Sequence, residues 1–321
     1  ATERDNITAL PNDDLVIQYY TFNESDLAII QQHRGSENRL GFAVQLCCLR
    51  HPGFALPTDL NLPSPFILFV SQQLGVSPHV WQQYARRSET RREHMAELQS
   101  WLNLKPFSND EYCSCLNELS DLAEQTDRVI PLASALIQML KDQRIIIPPL
   151  ATVERICSEA ITQGKRKVYE KLTSSLSSEQ KTALDNLLSA SEGANISRIF
   201  WLLKPAAAPR PKHVLAHLKR LKTIDDLDLP HFAELSVHQN RLTRLAKEGA
   251  QMTAQHLRDL EPSRRYATLT ALIIDTRASL IDEIIDLNER ILNGIFSKAK
   301  RSHAEQFQRS GKAINEKIRL L

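Results

Sequence analysis

The chain has 321 residues, 42% of them apolar and 24% charged, enough for two or three domains that each bury a core. Forty Lys and Arg nearly balance thirty-eight Asp and Glu, so the net charge of +2 excludes a uniformly basic protein, and any polyanionic partner must be met by local clusters. An odd count of five cysteines does not make a disulfide framework, no apolar run approaches the roughly 20 residues of a membrane span, and the start at Ala1 has no signal-peptide core. The expected location is therefore cytoplasmic.

Glycine is scarce, and Leu, Ala, Glu, Gln, Lys and Arg dominate, which predicts an all-α fold. After a polar start, Asn12 or Asp13 suits the cap of a short helix to about Tyr20. A second helix begins near Ser25 and stops at Gly35; Ser36 caps a third, which runs through Leu40, Val44, Leu46 and Leu49 to about Arg50. Three short helices with a tight glycine turn before the last have the form of a helix-turn-helix. The pattern recurs. A helix from Phe66 to Leu74 ends at Gly75, Ser77-Pro78 opens another to about Arg87, and Ser88 caps a third to about Asn103, with Met95, Leu98 and Leu102 inward. A third set spans Ser108 to about Glu124, Arg128 to Gln143 and Ala151 to Leu172. Between its last two helices, β-branched Ile145-Ile146-Ile147 before Pro148 reads as extended and buried.

The second half differs. Ser177 to Ala190 reads as a helix, Lys204 to Pro211 as a stiff proline-rich connector, Lys212 to Thr223 as a helix and Asp225 to Pro230 as an acidic turn. From Ser263 to about Lys300, Leu269, Leu272, Ile273, Leu280, Ile284, Leu287, Ile291 and Ile295 line one helical face. A polar helix follows to Leu321. The domain reading is residues 1–60 and 61–105 as two helix-turn-helix-like modules, 106–175 as a third helical module, and 176–321 as a linker and dimerisation region. The apolar stripe is met within the chain, by helices such as Phe232 to Leu245, or by a second copy or a further segment.

Two basic clusters fall at equivalent places in the first two modules: Arg34, Asn38 and Arg39 in one, and Arg86, Arg87, Thr90, Arg91, Arg92 and His94 in the other. The first residues of a recognition helix meet base edges in the major groove, where Arg suits guanine and Asn suits adenine. The two modules are expected to read successive grooves over roughly two helical turns. Arg155 and the run Lys165, Arg166, Lys167 suit phosphates. The bland alternative is a set of solvated faces, since Glu37, Glu89 and Glu93 are interleaved. Cys113 with Cys115, Cys47 with Cys48, and His213 with His217 lack zinc-site spacing or partners, so no metal or cofactor is expected in this chain. No phosphate-binding glycine loop or nucleophile elbow is present.

The run Arg34-Gly-Ser-Glu-Asn38-Arg39-Leu-Gly41-Phe-Ala-Val-Gln45 resembles the RGxxNRLGxAxQ stretch near the start of the Tn3-type, replicative class II transposases of bacteria. Tyr84 to Arg87 and Thr90-Arg-Arg-Glu-His94 are similar to the same family's Y…R…TRREH stretch, and Arg144 to Pro148 with Thr152 and Arg155 also fits. The likeness covers about residues 14–170 and continues more faintly after Ser263; Ser36-Glu37 departs from the usual acidic residue and His. The resemblance implies binding of double-stranded DNA at transposon terminal inverted repeats, through Arg34, Asn38, Arg39, Arg87, Thr90, Arg91, Arg92 and His94. It also implies a ribonuclease-H-like catalytic part with an acidic triad and magnesium, which nothing in these residues matches. A homodimer is expected from the need to hold two ends. The rival is an all-α protein-interaction scaffold.

Overall fold

The computed structural model describes residues 13–56, 62–84, 88–189, 197–205, 208–230 and 234–320. Among these the chain is all-α, with two isolated parallel bridges and no strand. It divides into two units, residues 1–165 and 166–321.

In the first unit, α1 (Asp13–Tyr20), α2 (Glu24–Gln31), α3 (Ser36–Arg50), α4 (Ser64–Leu74) and α5 (Ser88–Leu102) enclose one core. The cap of α2 is Asn23, not Ser25: its side chain accepts from the Asp26 amide, and Asp26 reciprocates in a capping box. The fully buried Asp26 also takes both terminal nitrogens of Arg50, one at 2.7 Å, which ties the start of α2 to the end of α3. Gln73 on α4 accepts from the Phe22 amide at 2.9 Å and donates to the Tyr20 carbonyl at 3.0 Å, serving as a backbone partner for the loop before α2. The expected helix from Ser77 to Arg87 is a 3-10 turn over Pro78–Gln83, after which Tyr84 is extended.

The first two expected modules do not have separate cores. Residues of α1 to α4 and Leu98 of α5 pack into a single cluster. A second cluster joins α6 (Asn109–Leu122), α7 (Val129–Asp142) and α8 (Leu150–Thr173). The extended Ile145–Ile147 segment, as expected, is buried, and it lies between the two clusters. Ile146 faces the first, while Ile145 and Ile147 face the second, the period-two alternation of extended chain. Its backbone is satisfied by bonds from the Ile146 amide to Lys105 at 3.0 Å and from the Ile147 amide to Gly53 at 3.1 Å. Gly164 brings α8 against the end of α6: a Cβ there would lie 2.8 Å from Ala123 backbone. The division after Lys165 falls inside α8, ten residues before the expected boundary at 175/176.

In the second unit, α9 (Ser178–Leu187), α10 (Arg198–Leu203), α11 (Pro211–Asp225), α12 (Gln239–Gln251), α13 (Ala254–Asp259) and α14 (Pro262–Leu320) carry the core. The stripe and the polar helix expected after it are one helix of 59 residues, about 90 Å long. Its first half is central. Leu269, Leu272, Ile273 and Leu280 enter one cluster, and Ala267 and Ala271 enter another with α12 and Val168 and Leu172 of α8. The chain's own helices thus cover the stripe through Leu287. From Asn288 onward no described side chain of α14 is buried.

Candidate nucleic-acid interface

The turn between α2 and α3 is built on Gly35, whose φ of +91° suits glycine and whose missing Cβ leaves room for the Glu37 carboxylate. Two expected DNA ligands hold this turn. Asn38 Nδ2 donates to the Arg34 carbonyl, and Arg39 Nε donates to the His33 carbonyl, each at 2.9 Å. Arg34 and Arg39 are both exposed, and the terminal amino groups of Arg39 are left for another acceptor.

Helix α3 departs from the recognition-helix expectation. Every residue from Leu40 to Leu49 is buried, because α1, α2, α4, the 3-10 turn and α5 surround it. Between its first turn and Arg50 the helix has no open face to lay in a groove, and only residues 36–39 and Arg50 reach solvent. Helix α5 is different. Glu89, Arg92, Glu93, Ala96 and Ser100 form an exposed face at helical spacing, with Thr90 and Arg91 half-buried at its edge.

The two basic clusters meet over a buried bridge. Gly41 on α3 is filled by the Tyr84 ring, which occupies the place a Cβ would take. Gln45 Nε2 donates to the Tyr84 hydroxyl at 3.0 Å, and that hydroxyl lies 3.0 Å from His94 Nδ1 on α5. Gln45 also lies 3.5 Å from the Arg91 carbonyl. The His94 ring stacks on Tyr84 and meets the edges of Phe42 and of His33, the residue before Arg34; the His33 and His94 centroids are 4.5 Å apart. Successive major grooves lie about 34 Å apart. The contact of His33 with His94 brings the ends of the two clusters far closer together than that spacing.

His94 is corrected by the same geometry. It is 5% exposed, so it has no surface to offer DNA. Burial, with the neighbouring His33, pushes its imidazole down to about 4, and it is neutral at ordinary pH. Its part is to position α5 against the α2–α3 turn. His33 is pushed down by burial too, opposed by Glu97, whose carboxylate is 3.6 Å away.

The remaining expected residues are placed as follows. Arg86 and Arg87 lie outside the described residues. Arg155 is exposed on α8 with its guanidinium over the Tyr112 ring, 5.2 Å from the centroid. On the same helix Lys165 and Lys167 are half-buried and Arg166 is exposed; Lys165 belongs to the first unit, and Arg166 and Lys167 to the second. Sequence reading quoted Gly41, Gln45 and Tyr84 within the motifs without giving them a role. A glycine and a lone glutamine inside an otherwise apolar helix were the available signals. Among the described residues no three His, Cys, Asp or Glu side chains gather as metal ligands, and no helix is long and apolar enough to cross a membrane.

A family model described as a domain of unknown function (DUF4158) matches residues 1–160, close to the limit of the first unit. The chain is 47% identical over its whole length to the transposase for transposon Tn501 of Pseudomonas aeruginosa and 48% identical to the transposase for transposon Tn21 of Escherichia coli. By sequence, the chain is a homologue of the Tn3-type transposases. The transposase for transposon Tn1546 of Enterococcus faecium is a more distant relative, 30% identical over 98% of the chain. The chain spans about a third of the length of these transposases, 32% in each case.

Proposed function

We propose that the first unit grips double-stranded DNA at the terminal inverted repeats of a transposon, as the recognition part of a replicative transposase. The observation that carries this reading is the gathering of Arg34 and Arg39 with Arg91 and Arg92 over the Gly41, Gln45, Tyr84 and His94 bridge. Helix α5 enters the major groove, with Arg91 and Arg92 near its start meeting base edges. Arg34 and Arg39 on the adjoining turn take phosphates, as do Arg155 and Lys165 on α8; Arg166 and Lys167, in the second unit, are proposed for the same chemistry there. Asn38 holds the turn that presents Arg34.

Strand cutting and joining, with an acidic triad and magnesium, belong on this reading to the two thirds of the relatives that the chain does not span. The chain alone neither cleaves nor joins. The homodimer is part of the same reading and is assigned to the exposed half of α14. A second reading, an all-α interaction scaffold, draws on the exposure of Ile295, Phe296 and Phe307 on that helix. The two separate on heparin, which retains a phosphate-binding chain until moderate salt and ignores a scaffold.

The test is Arg91→Ala with Arg92→Ala, assayed against a duplex carrying the inverted repeat of the element that encodes the chain. Specific binding is expected to weaken by about 2–5 kcal/mol, at roughly 1–3 per contact, with the unfolding midpoint unchanged. A double variant that binds as tightly as wild type sinks the reading.

A further inference from the structure

Helix α11, in the second unit, carries a face that the reading above does not use. Between Arg198 and Ile224 the sequence holds seven Lys or Arg and no Asp or Glu, in a chain whose charges otherwise nearly cancel. Folding sorts these charges. Arg220 turns inward: it is 7% exposed, donates to the Lys204 carbonyl and lies over the Trp201 ring at 5.6 Å. His217 beside it is 1% exposed, with Nε2 3.1 Å from a Glu283 oxygen of α14. Together with buried Ile224 these residues seat one side of α11 on α14.

The opposite side is open. Lys212, Leu215, Leu218, Lys219 and Lys222 are all exposed, at spacings of three, four and seven residues. None of the three lysines has an ion-pair partner among the described residues, unlike Arg277, which pairs with Asp225 at 2.8 Å. The charge also runs against the helix's own field. The first turn of α11 holds no acidic residue, and Arg210 and Lys212 stand at its positive end, where cations are disfavoured.

We propose that this open face of α11 is a second DNA-contacting surface, one that takes the phosphates of a duplex without reading bases. The proposal rests on the reading that the chain binds double-stranded DNA. Lysine is a compact point charge that suits phosphate without a fixed geometry. The span from Lys212 to Lys219, about 10 Å, matches three phosphate-to-phosphate steps of one strand at roughly 3.4 Å of axis each. A membrane surface would need a broad apolar face, whereas the open face of α11 offers only Leu215 and Leu218 among three lysines, its buried side being seated on α14.

The experiment measures binding of the full chain by fluorescence anisotropy from 50 to 200 mM KCl. The probes are a duplex carrying the element's inverted repeat and a duplex of equal length and shuffled sequence. For Lys212→Gln, Lys219→Gln and Lys222→Gln together, the slope of log K against log salt is expected to fall by about 2.7, at about 0.9 per phosphate contact. Affinity for both duplexes should fall roughly 10-fold or more, their ratio and the melting temperature staying as in wild type. The matching triple arginine variant should keep the slope. If the glutamine variant melts early, each single substitution carries the test, with an expected loss of about 0.9 in slope. An unchanged slope in a folded glutamine variant overturns the proposal, and so does a loss confined to the inverted-repeat duplex. Binding of phosphatidylglycerol vesicles that the glutamine variant loses, at unchanged DNA slope, would reassign the face to a membrane. A wild-type chain that binds both duplexes equally sinks sequence-specific recognition while leaving this surface in place; one that binds neither overturns both.

Discussion

The Tyr84 hydroxyl has two partners in the first unit, Gln45 Nε2 and His94 Nδ1, both at 3.0 Å and both buried. Gln45 donates to the hydroxyl oxygen, and the hydroxyl pairs with His94 Nδ1 as donor or acceptor according to the imidazole tautomer. Tyr84→Phe strips both buried nitrogens of their partner and is expected to cost about 1–3 kcal/mol in urea unfolding. The same bridge predicts a pH dependence. Unfolded histidine takes a proton near 6.5, whereas folded His94 stays neutral down to about 4. Between those values the unfolded state binds more protons, so stability is full above about 6.5 and is lost as pH falls toward 4, on the order of 2 kcal/mol by pH 5. His33, His51 and His217 are also pushed down by burial and add with the same sign. Urea midpoints at pH 7 and pH 5 should differ less in His94→Gln than in wild type; an equal difference would clear His94 of this role. The family resemblance assigned His94 to DNA as the last residue of the Thr90-Arg-Arg-Glu-His94 stretch. Its true neighbours, Phe42 and His33, lie far back in the chain, and no local pattern announces them.

At the scale of elements, the sequence was most legible where local chemistry decides and least where a distant ring does. Helix α3 illustrates both. Its turn, start and end were readable from Gly35 and from the apolar run that follows, yet that run, Leu40 to Leu49 with Gln45 as its one polar amide, is apolar all round and is the mark of an enclosed helix. The spacing of a helix-turn-helix pointed elsewhere, and enclosure won because five other elements need its surface. The segment after Gly75 offered Ser77 and Pro78 as helix-opening signals, but the chain tightens to a 3-10 turn and extends at Tyr84, whose ring fills the gap at Gly41. Ile145–Ile147 was readable as extended and buried from its β-branched run and the prolines after it, but not as the partition between two cores. That role makes a prediction. Ile147 is 1% exposed, and its amide is bonded to Gly53. Ile147→Ala keeps the bond and removes the packing, so it should cost about 2–4 kcal/mol, measured by urea unfolding. A cost under about 0.5 kcal/mol, the range of ordinary surface substitutions, would show that the segment is not a shared part of the core.

For the whole molecule, α14 makes the sharpest division between what the chain does for itself and what it leaves open. Leu272 is 2% exposed and Leu287 is 3%, while Ile295 is 57%, Phe296 is 69% and Phe307 is 75%. Ile285, Leu292, Phe296, Ile314 and Ile318 recur at spacings close to whole helical turns, so the exposed half keeps an apolar face of its own. Burial of each such side chain is worth roughly 1.5–3 kcal/mol, a gain the second unit does not collect beyond Leu287. Two substitutions on the one helix separate the roles. Leu272→Ala opens a cavity in the second unit's core and should cost about 2–5 kcal/mol of stability, whatever the assembly state. Phe296→Asp adds a charge to a position that is in water within one chain, and at concentrations where both proteins are monomeric it should leave stability within about 0.5 kcal/mol of wild type. If the exposed face joins two copies, light scattering of wild type should report a dimer that Phe296→Asp converts to a monomer. A wild-type chain that is monomeric with and without DNA would remove the homodimer from the proposed function and leave DNA recognition by the first unit standing by itself.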